Sequence, residues 1–336
     1  MLSEHLGRVS AGEDLSMSEM ADVIGEIMNG QCGEEQIALL LTALRAKGES
    51  AEEVAGAAQA MREHMTRINL SGDNFVDTCG TGGDGSGTFN ISTAAAIVTA
   101  AAGVPVAKHG NRRMSSKTGS ADVLAELGVN VEADLGSVER CFEEVGICFC
   151  FAPQLHPAMK HVVPVRKRLG VPTIFNLLGP LSNPASAPFQ LLGVGRPEIR
   201  GLLASALAKL GIRRAAVVCG EDGLDEVTIS APTAVSLVED GHIKELTWTP
   251  NDFGYQAGGL ESMLAEDPAQ SAAIIRQVLK GQSGPSRDIV VINAAAAIWL
   301  TKQDQSLAES AGAAADAIDS GAADGLLTRL AEVSNA

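Results

Sequence analysis

The chain has 336 residues, of which 46% are apolar, and it carries a formal net charge of −16 at pH 7. This length suits one large or two modest domains with a substantial core. The acidic balance argues against broad nucleic-acid binding, which needs a basic surface. No basic leader segment and no apolar run of about 18 residues is recognisable, so we expect a cytoplasmic protein without a membrane span.

The first 66 residues predict a small helical bundle. Ser16 with Glu19, and Ser50 with Glu53, have the spacing of a capping box at a helix start. A further helix between them ends at Gly48. Apolar residues recur at helical spacing along these three segments, namely Met20, Val23, Ile24, Ile27, Met28, Ile37, Leu40, Leu41, Leu44, Val54, Ala58, Met61 and Met65. Such a bundle needs no chemistry of its own, and its exposed face could serve dimerisation.

From about residue 72 the pattern changes to short apolar strands that alternate with helices, which predicts an α/β sheet. The predicted strands are 75–77, 104–107, 148–151 and 215–219, with helices at 121–127 and 137–145 and a hairpin of 235–239 with 242–248. The region from residue 262 onward reads as helical. A second helical segment, 156–183, interrupts the α/β pattern and could cross back to the bundle.

The densest motif is a glycine-rich loop, in which five of the eight residues from Gly80 to Gly87 are glycine. It precedes an alanine-rich helical run at 94–102, and such a loop opening into a helix suits an anion, usually a phosphate. Gly80, Gly82 and Gly85 also match the spacing of a dinucleotide-binding turn, so an NAD(P) enzyme is one alternative. That fold expects an acidic residue about 20 positions later, where this chain has basic residues instead.

Two further segments carry opposite charges. Residues 108–117 contain four Lys or Arg, one His and no acidic residue, which favours a second phosphate-binding segment. Residues 221–226 contain four acidic side chains directly after a predicted strand. Because Mg²⁺ prefers oxygen ligands and often bridges to substrate phosphates, this turn is a candidate magnesium site. The six cysteines are scattered, and we interpret them as buried thiols.

These motifs in this order resemble those of the anthranilate phosphoribosyltransferases, and the resemblance covers nearly the whole chain. The runs that carry it are 80–84, 90–93, 108–112, 156–161, 176–184 and 225–226. The resemblance implies a fold of the nucleoside phosphorylase type, with a small helical domain (1–69 and about 156–184) and a larger α/β domain (70–155 and 185–336). The α/β domain would have a central mixed sheet flanked by helices.

The same resemblance implies transfer of 5-phosphoribose from phosphoribosyl pyrophosphate (PRPP) to the amine of anthranilate, the second step of tryptophan biosynthesis from chorismate. It implies Mg²⁺, with two ions per monomer, and a homodimer formed through the helical domain. It implies no nucleic-acid or membrane partner. Association with a glutamine amidotransferase is left open by the sequence.

Site residues follow position by position from the resemblance, and none acts as an acid, a base or a nucleophile. The residues implied for PRPP are Gly80, Gly83, Asp84, Thr88, Asn90, Ile91, Ser92, Thr93, Lys108, His109, Gly110, Asn111, Arg112, Arg113, Met114, Ser115, Ser116 and Ser120. Those for anthranilate are Gly80, Asn111 and Arg166, and the metal ligands are Ser92, Asp225 and Glu226. Arg113-Met114 departs from the small or apolar residues of many relatives.

Two alternatives share the implied fold. One is a pyrimidine nucleoside phosphorylase, which would bind phosphate and a nucleoside. The other is a non-catalytic relative that binds nucleic acid. The 108–112 run and the Asp225-Glu226 pair favour the transferase, because a pyrophosphate leaving group calls for a metal. The net charge of −16 disfavours the nucleic-acid binder.

Overall fold

The computed structural model describes residues 2–112 and 118–336. It begins with four helices, α1 (Leu2–Ser10), α2 (Met17–Met28), α3 (Glu34–Lys47) and α4 (Ala51–Glu63). Both predicted capping boxes form, because the hydroxyls of Ser16 and Ser50 accept the backbone N–H three residues later and the glutamates there reach back. The predicted apolar residues of these helices are buried in one cluster, apart from Met65.

Two details of the bundle differ from the prediction. Helix α1 was not recognised, since it is short and Gly7 at its centre lowers helix propensity. Met65 was placed on the last helix, but α4 ends at Glu63. The chain turns there because Thr66 N–H donates to the carbonyl of Leu155 at 2.8 Å. Met65 is nevertheless buried.

A seven-stranded sheet forms the centre of the rest of the chain. Its strands are β1 (Val76–Gly80), β2 (Val106–Gly110), β3 (Ile147–Phe151), β4 (Phe189–Gly193), β5 (Arg214–Gly220), β6 (Thr233–Glu239) and β7 (His242–Trp248). The spatial order is β3-β2-β1-β4-β5-β6-β7. The first five strands pair in parallel, and β6 and β7 pair antiparallel. The predicted mixed sheet is therefore confirmed.

Strand β4 was missed although it lies at the centre of the sheet. Side chains on both faces of β4 are buried, with Leu191 in one apolar cluster and Leu192 in the other. A five-residue strand that is buried on both faces lacks the polar–apolar alternation by which strands are recognised. Strands β1 and β2 also extend further than predicted, to Gly80 and Gly110. This places Lys108 and His109 in a strand rather than in a loop.

Helices cover both faces of the sheet. They are α5 (Ile91–Ala101), α6 (Ser120–Glu126), α7 (Leu135–Val145), α8 (Ala152–Leu155), α9 (Val163–Leu169), α10 (Phe175–Leu178), α11 (Pro197–Lys209), α12 (Pro268–Leu279), α13 (Pro285–Thr301), α14 (Leu307–Asp319) and α15 (Ala322–Ser334). Short 3₁₀ turns lie at Pro157–His161, Pro250–Phe253 and Glu261–Met263. One apolar cluster joins α5 and α13 to one face of the sheet. The other joins the bundle, α9–α11 and the opposite face.

The 156–183 segment is helical in part, as predicted, and it contacts the N-terminal bundle. Arg62 Nε donates to the carbonyl of Leu181 at 2.7 Å, and Arg45 donates to the carbonyl of Pro172 at 3.0 Å. No helix within the described residues is long and apolar enough to cross a membrane. All six cysteines are free thiols.

The strand order reverses at β1, which has β2 on one side and β4 on the other. In open α/β sheets, ligands bind in the crevice at the carboxyl ends of the strands beside such a reversal. The topology therefore points to the ends of β1 and β4, near Gly80 and Gly193.

Candidate active site

A cavity of about 520 Å³ opens at the carboxyl ends of β1 and β2. It is lined by residues 79–92, 108–112, 118–120 and 225–226. The glycine-rich loop, the end of the basic strand and the acidic turn therefore meet in one place. A volume of this size is typical of a small-molecule site.

The glycine-rich loop takes a backbone conformation that few other residues tolerate. Gly82, Gly83, Gly85 and Gly87 all have positive φ, between 67° and 80°. The loop is fixed at its start, where Thr81 N–H donates to the carbonyl of Gly193 at 2.9 Å. It is fixed at its end by bonds from Phe89 N–H to Met263 and from Ala265 N–H to Gly87. Its curvature is therefore set before any ligand binds.

Helix α5 begins at the cavity wall and offers its N-terminus to it. Its N-cap, Asn90, makes no side-chain cap bond, and Ser92 N–H donates to Glu226 Oε1 at 3.1 Å. Thr93 lies just behind this wall and its hydroxyl donates to Asn90 Oδ1. The positive end of a helix dipole here suits an anionic ligand.

Lys108 is buried at the end of β2 with only 3% of its surface exposed. Its ammonium donates to the carbonyl of Thr78 at 2.6 Å and to Ser92 Oγ at 3.2 Å. Burial lowers the pKa of Lys108, and the nearby carboxylates of Asp77 and Glu226 oppose that shift. The basic segment is therefore not a solvated loop at its start, because its first cation lies inside the protein beside the cavity.

His109 and His156 form a buried pair, and the His109 ring also lines the cavity. Their Nε2 atoms are 3.2 Å apart, and His109 Nδ1 is 3.1 Å from the carbonyl of Gly179. Burial lowers the pKa of His109 to about 3, and the neighbouring His156 ring lowers it in the same direction. Burial lowers the pKa of His156 to about 4. Both rings are neutral at pH 7. A proton on His109 Nδ1 would satisfy the Gly179 carbonyl, and His109 Nε2 would then accept from His156.

Three carboxylates gather opposite the helix N-terminus. Asp225 Oδ2 accepts Gly82 N–H at 3.1 Å and Glu226 Oε1 accepts Ser92 N–H, whereas Asp84 Oδ2 is buried without a hydrogen-bond partner. Burial and the neighbouring Asp84 carboxylate raise the pKa of Asp225 to about 7. Burial and Asp225 raise the pKa of Glu226 well above its usual range. A cation among these groups would relieve their repulsion.

Known proteins resemble this chain over nearly its whole length. The helical bundle domain of the glycosyl transferase family matches residues 3–65, and the a/b domain of that family matches residues 72–324. An anthranilate phosphoribosyltransferase of Rhodopirellula baltica is 51% identical over 98% of this chain and 96% of its own length. That of Thermus thermophilus superposes with a TM-score of 0.92 at 42% identity, covering 98% and 99% of the two chains.

The chain belongs to the anthranilate phosphoribosyltransferase family. The Saccharomyces cerevisiae member has a TM-score of 0.91 at 30% identity, covers 99% of this chain and 98% of its own, and was solved in complex with PRPP and Mg. It was also solved in complex with 4-fluoroanthranilate. The predicted family and fold class are thereby confirmed, and neither a nucleoside phosphorylase nor a nucleic-acid binder is favoured.

Most of the site residues implied by the family resemblance line this cavity. They are Gly80, Gly83, Asp84, Thr88, Asn90, Ile91, Ser92, Lys108, His109, Gly110, Asn111, Arg112, Ser120, Asp225 and Glu226. Thr93 lies behind the wall. Arg113, Met114, Ser115 and Ser116 lie outside the described residues. The structure thus brings together residues from three separate sequence motifs, and their roles in binding stay predictions.

Two arginines that were expected to contact substrates are bonded to protein side chains instead. Arg112 lines the cavity, but its guanidinium is held by Asp122 at 3.3 Å and Glu132 at 2.6 Å. Arg166 lies on α9, does not line the cavity, and donates to Asn176 Oδ1 at 3.3 Å. Burial lowers the pKa of Arg166. Contact of Arg166 with anthranilate therefore needs a movement of α9 or a path beyond this cavity.

The donor set of the cavity fits magnesium. Within residues 2–112 and 118–336, no three His, Cys, Asp or Glu side chains are grouped as a metal site made by protein alone. Mg²⁺ in phosphate-handling sites is held by one or two carboxylates, with substrate phosphates and water completing its shell. Asp225 and Glu226, with Ser92 beside them and the unpartnered Asp84 oxygen nearby, supply that partial shell.

Some residues that shape the site carry no obvious sequence signal. Asp77 is buried in β1, where Oδ1 accepts His109 N–H at 3.1 Å and Oδ2 accepts from Gln190 Nε2 at 3.3 Å. Gly193 ends β4, and a Cβ there would lie 2.5 Å from the carbonyl carbon of Asp225. The sequence carries no sign of this role for Gly193, because its closeness to Asp225 depends on the pairing of β4 in the sheet.

Proposed function

We propose that the protein transfers the 5-phosphoribosyl group of PRPP to the amine of anthranilate and releases pyrophosphate. This is the second step of tryptophan biosynthesis from chorismate. The observation that carries the proposal is the cavity in which the glycine-rich loop, the end of β2 and the Asp225–Glu226 turn meet. A pyrophosphate group needs N–H donors and a divalent cation together, and this cavity supplies donors and carboxylates within one volume.

We propose that the pyrophosphate of PRPP lies against the glycine-rich loop, the start of α5 and Lys108. In the reaction, the bond from ribose C1 to the pyrophosphate oxygen breaks and the anthranilate nitrogen forms a bond to C1. The nitrogen then loses a proton to water or to the released pyrophosphate. Positive charge develops on C1 and negative charge on the leaving oxygen. We assign the stabilisation of the negative charge on the leaving oxygen to loop N–H groups and the Lys108 ammonium, because the loop and Lys108 line the cavity.

Asp225, Glu226 and Ser92 would hold Mg²⁺, and we propose two ions per monomer. When bound, the metal neutralises the charge that develops on the departing pyrophosphate. The protein's own part is to fix these carboxylates through the bonds from Gly82 N–H to Asp225 and from Ser92 N–H to Glu226.

No acid or base is required of the protein. An arylamine is neutral at pH 7, and the buried His109–His156 pair is neutral as well because burial depresses both pKa values. We therefore assign His109 to positioning, through its bonds to Gly179 and His156. Loss of turnover in His109→Ala with both substrate affinities intact would contradict this assignment.

We further propose a two-domain division, in which residues 1–69 and about 156–184 form a helical domain on the anthranilate side. Support comes from Arg62 and Arg45, which bond the carbonyls of Leu181 and Pro172. Arg166 lies on this side and is our proposed contact for the anthranilate carboxylate, with Asn111 and Gly80 on the cavity side. Closure between the two domains would bring Arg166 towards the cavity.

We propose a homodimer through the helical domain and a cytoplasmic location. The large exposed apolar side chains of this part are Leu39 on α3, Val163 on α9 and Val171 just beyond it, and they are 58%, 37% and 44% exposed. Light scattering on the eluting protein tests this, with Leu39→Arg as the disrupting variant and Ile243→Arg, on β7, as the control. A dimer that survives Leu39→Arg but not Ile243→Arg would place the interface on the sheet edge.

Anthranilate fluorescence tests the proposed reaction. The purified protein is mixed with anthranilate, PRPP and Mg²⁺, and each component is omitted in turn. A loss of fluorescence that needs all components, matched by pyrophosphate release, is the expected result. If fluorescence is stable while uridine or thymidine is cleaved in the presence of phosphate, the protein is a phosphorylase and the proposal is wrong.

A further inference from the structure

A buried asparagine on α13 bonds the backbone next to the acidic turn. Asn293 has none of its surface exposed and is surrounded on its helix by apolar residues from Ile289 to Ile298. Its amide oxygen accepts Val227 N–H at 2.9 Å, and its amide nitrogen donates to the carbonyls of Val227 and Ile289, each at 2.8 Å. Both amide hydrogens are therefore used. One side chain thus satisfies both backbone groups of a single residue.

Val227 directly follows Glu226, so these two bonds hold the far end of the acidic turn against α13. The bond to the Val227 N–H orients the peptide plane that joins Val227 to Glu226, and the bond from Asn293 to the Val227 carbonyl orients the next plane, which joins Val227 to Thr228. On the opposite side, the carbonyl of Asp225 lies against Gly193, where a Cβ would approach the Asp225 carbonyl carbon to 2.5 Å. The turn is therefore held between α13 and the end of β4.

This fixation opposes a repulsion that the site itself creates. Asp84, Asp225 and Glu226 line one cavity, where partial burial leaves ionised carboxylates poorly screened from each other, and the Asp84 Oδ2 atom has no hydrogen-bond partner. Like charges in such surroundings would drive a free turn outward. The hydrogen bonds of Asn293 go to backbone groups of Val227 and Ile289, so its effect on the cavity carboxylates passes through the Val227 backbone.

We propose that Asn293 is a positioning residue, which holds the Asp225–Glu226 turn in the geometry that accepts a divalent cation together with pyrophosphate. The proposal rests on the proposed function, because it assumes PRPP and Mg²⁺ as the ligands of this site. It predicts that loss of the Asn293 amide weakens metal-assisted binding specifically and leaves metal-free binding of PRPP nearly unchanged.

Calorimetric binding of PRPP, with and without Mg²⁺ and with no anthranilate present, separates this role from a general loss of stability. In Asn293→Leu, which has a similar volume and cannot bond Val227, the gain in PRPP affinity caused by Mg²⁺ should fall at least tenfold. Affinity without Mg²⁺ should stay within twofold of the wild-type value. Ile298→Ala, a fully buried position further along α13, is the control for lost core packing and should keep the full gain.

An Asn293→Leu protein that keeps the full Mg²⁺-dependent gain would overturn the proposal. The same holds if Ile298→Ala loses the gain equally, because the effect would then be one of stability. If Asn293→Leu does not fold, Asn293→Ala carries the same prediction, since it removes both bonds to Val227 and adds no bulk to the core. Failure of the proposed function is seen separately, in a wild-type protein that does not bind PRPP.

Discussion

Adding one methyl group at Gly193, which does not line the cavity, should displace the Asp225–Glu226 turn and lower the rate of the reaction. The Cβ of Gly193→Ala would lie 2.5 Å from the carbonyl carbon of Asp225 and still closer to its oxygen, which is backbone and cannot swing away. Carbon atoms in contact prefer about 3.5–4.0 Å, so the turn must move by roughly 1–1.5 Å. A misplacement of about 1 Å can lower a rate about 100-fold, and we expect that loss in kcat/KM.

The matched control is Gly201→Ala on α11, where no atom lies within 4 Å of the added Cβ. Because alanine is favoured over glycine inside a helix, this variant should gain about 0.5–1 kcal/mol of stability and keep wild-type turnover. Gly193→Ala should lose about 1–3 kcal/mol in urea unfolding, the usual range for overpacking. Both variants are assayed by the loss of anthranilate fluorescence. A folded Gly193→Ala protein with turnover within threefold of wild type would show that the contact at Gly193 does not set the position of the Asp225–Glu226 turn.

Three further predictions concern charge. Replacing Asp225 and Glu226 together by alanine should lower Mg²⁺-dependent turnover by about 100-fold or more, since loss of one electrostatic stabiliser alone has effects of that order; unchanged turnover would remove them from the metal site. Arg166→Ala should raise the KM for anthranilate more than the KM for PRPP, and equal changes would assign Arg166 a structural role. The pKa of His156 is about 4 in the folded protein, below the ordinary histidine value of 6.5. As the pH falls, the unfolded chain therefore takes up a proton at His156 before the folded protein does. The free energy of unfolding consequently decreases as the pH drops from about 6.5 towards 4. Between pH 7.5 and 5.0 this loss is about 2 kcal/mol, and urea unfolding of His156→Asn should lack it; an equal fall in both proteins would contradict the buried neutral ring.

The parts of the structure that sequence predicts well are those with local causes. The capping boxes at Ser16 and Ser50 and the hairpin at Asp240-Gly241 each follow from a few neighbouring residues, and all three form. Strand β4 does not have such a cause, because burial on both faces removes its alternation. Its absence from the prediction also hid the strand reversal that locates the cavity.

In the candidate site, too, features with local causes are predictable from sequence and features set by tertiary contacts are not. The glycine-rich loop is visible in the sequence because its four positive φ angles demand glycine. The basic segment was predicted as one unit, yet Lys108 is inside the protein and Arg112 is held by Asp122 and Glu132. Such differences come from tertiary neighbours, which spacing along the chain does not reveal. Asn293 is the extreme case, since its partner Val227 is 66 positions away.

The proposed metal and pyrophosphate sites are tested most directly by a crystal structure of the protein grown with PRPP and Mn²⁺, with data collected at the manganese absorption edge. We expect an anomalous peak beside the carboxylates of Asp225 and Glu226, with pyrophosphate density against the loop from Gly80 to Thr88. PRPP bound with its metal anywhere else, such as in the groove lined by Arg67 and Asp73, would contradict it.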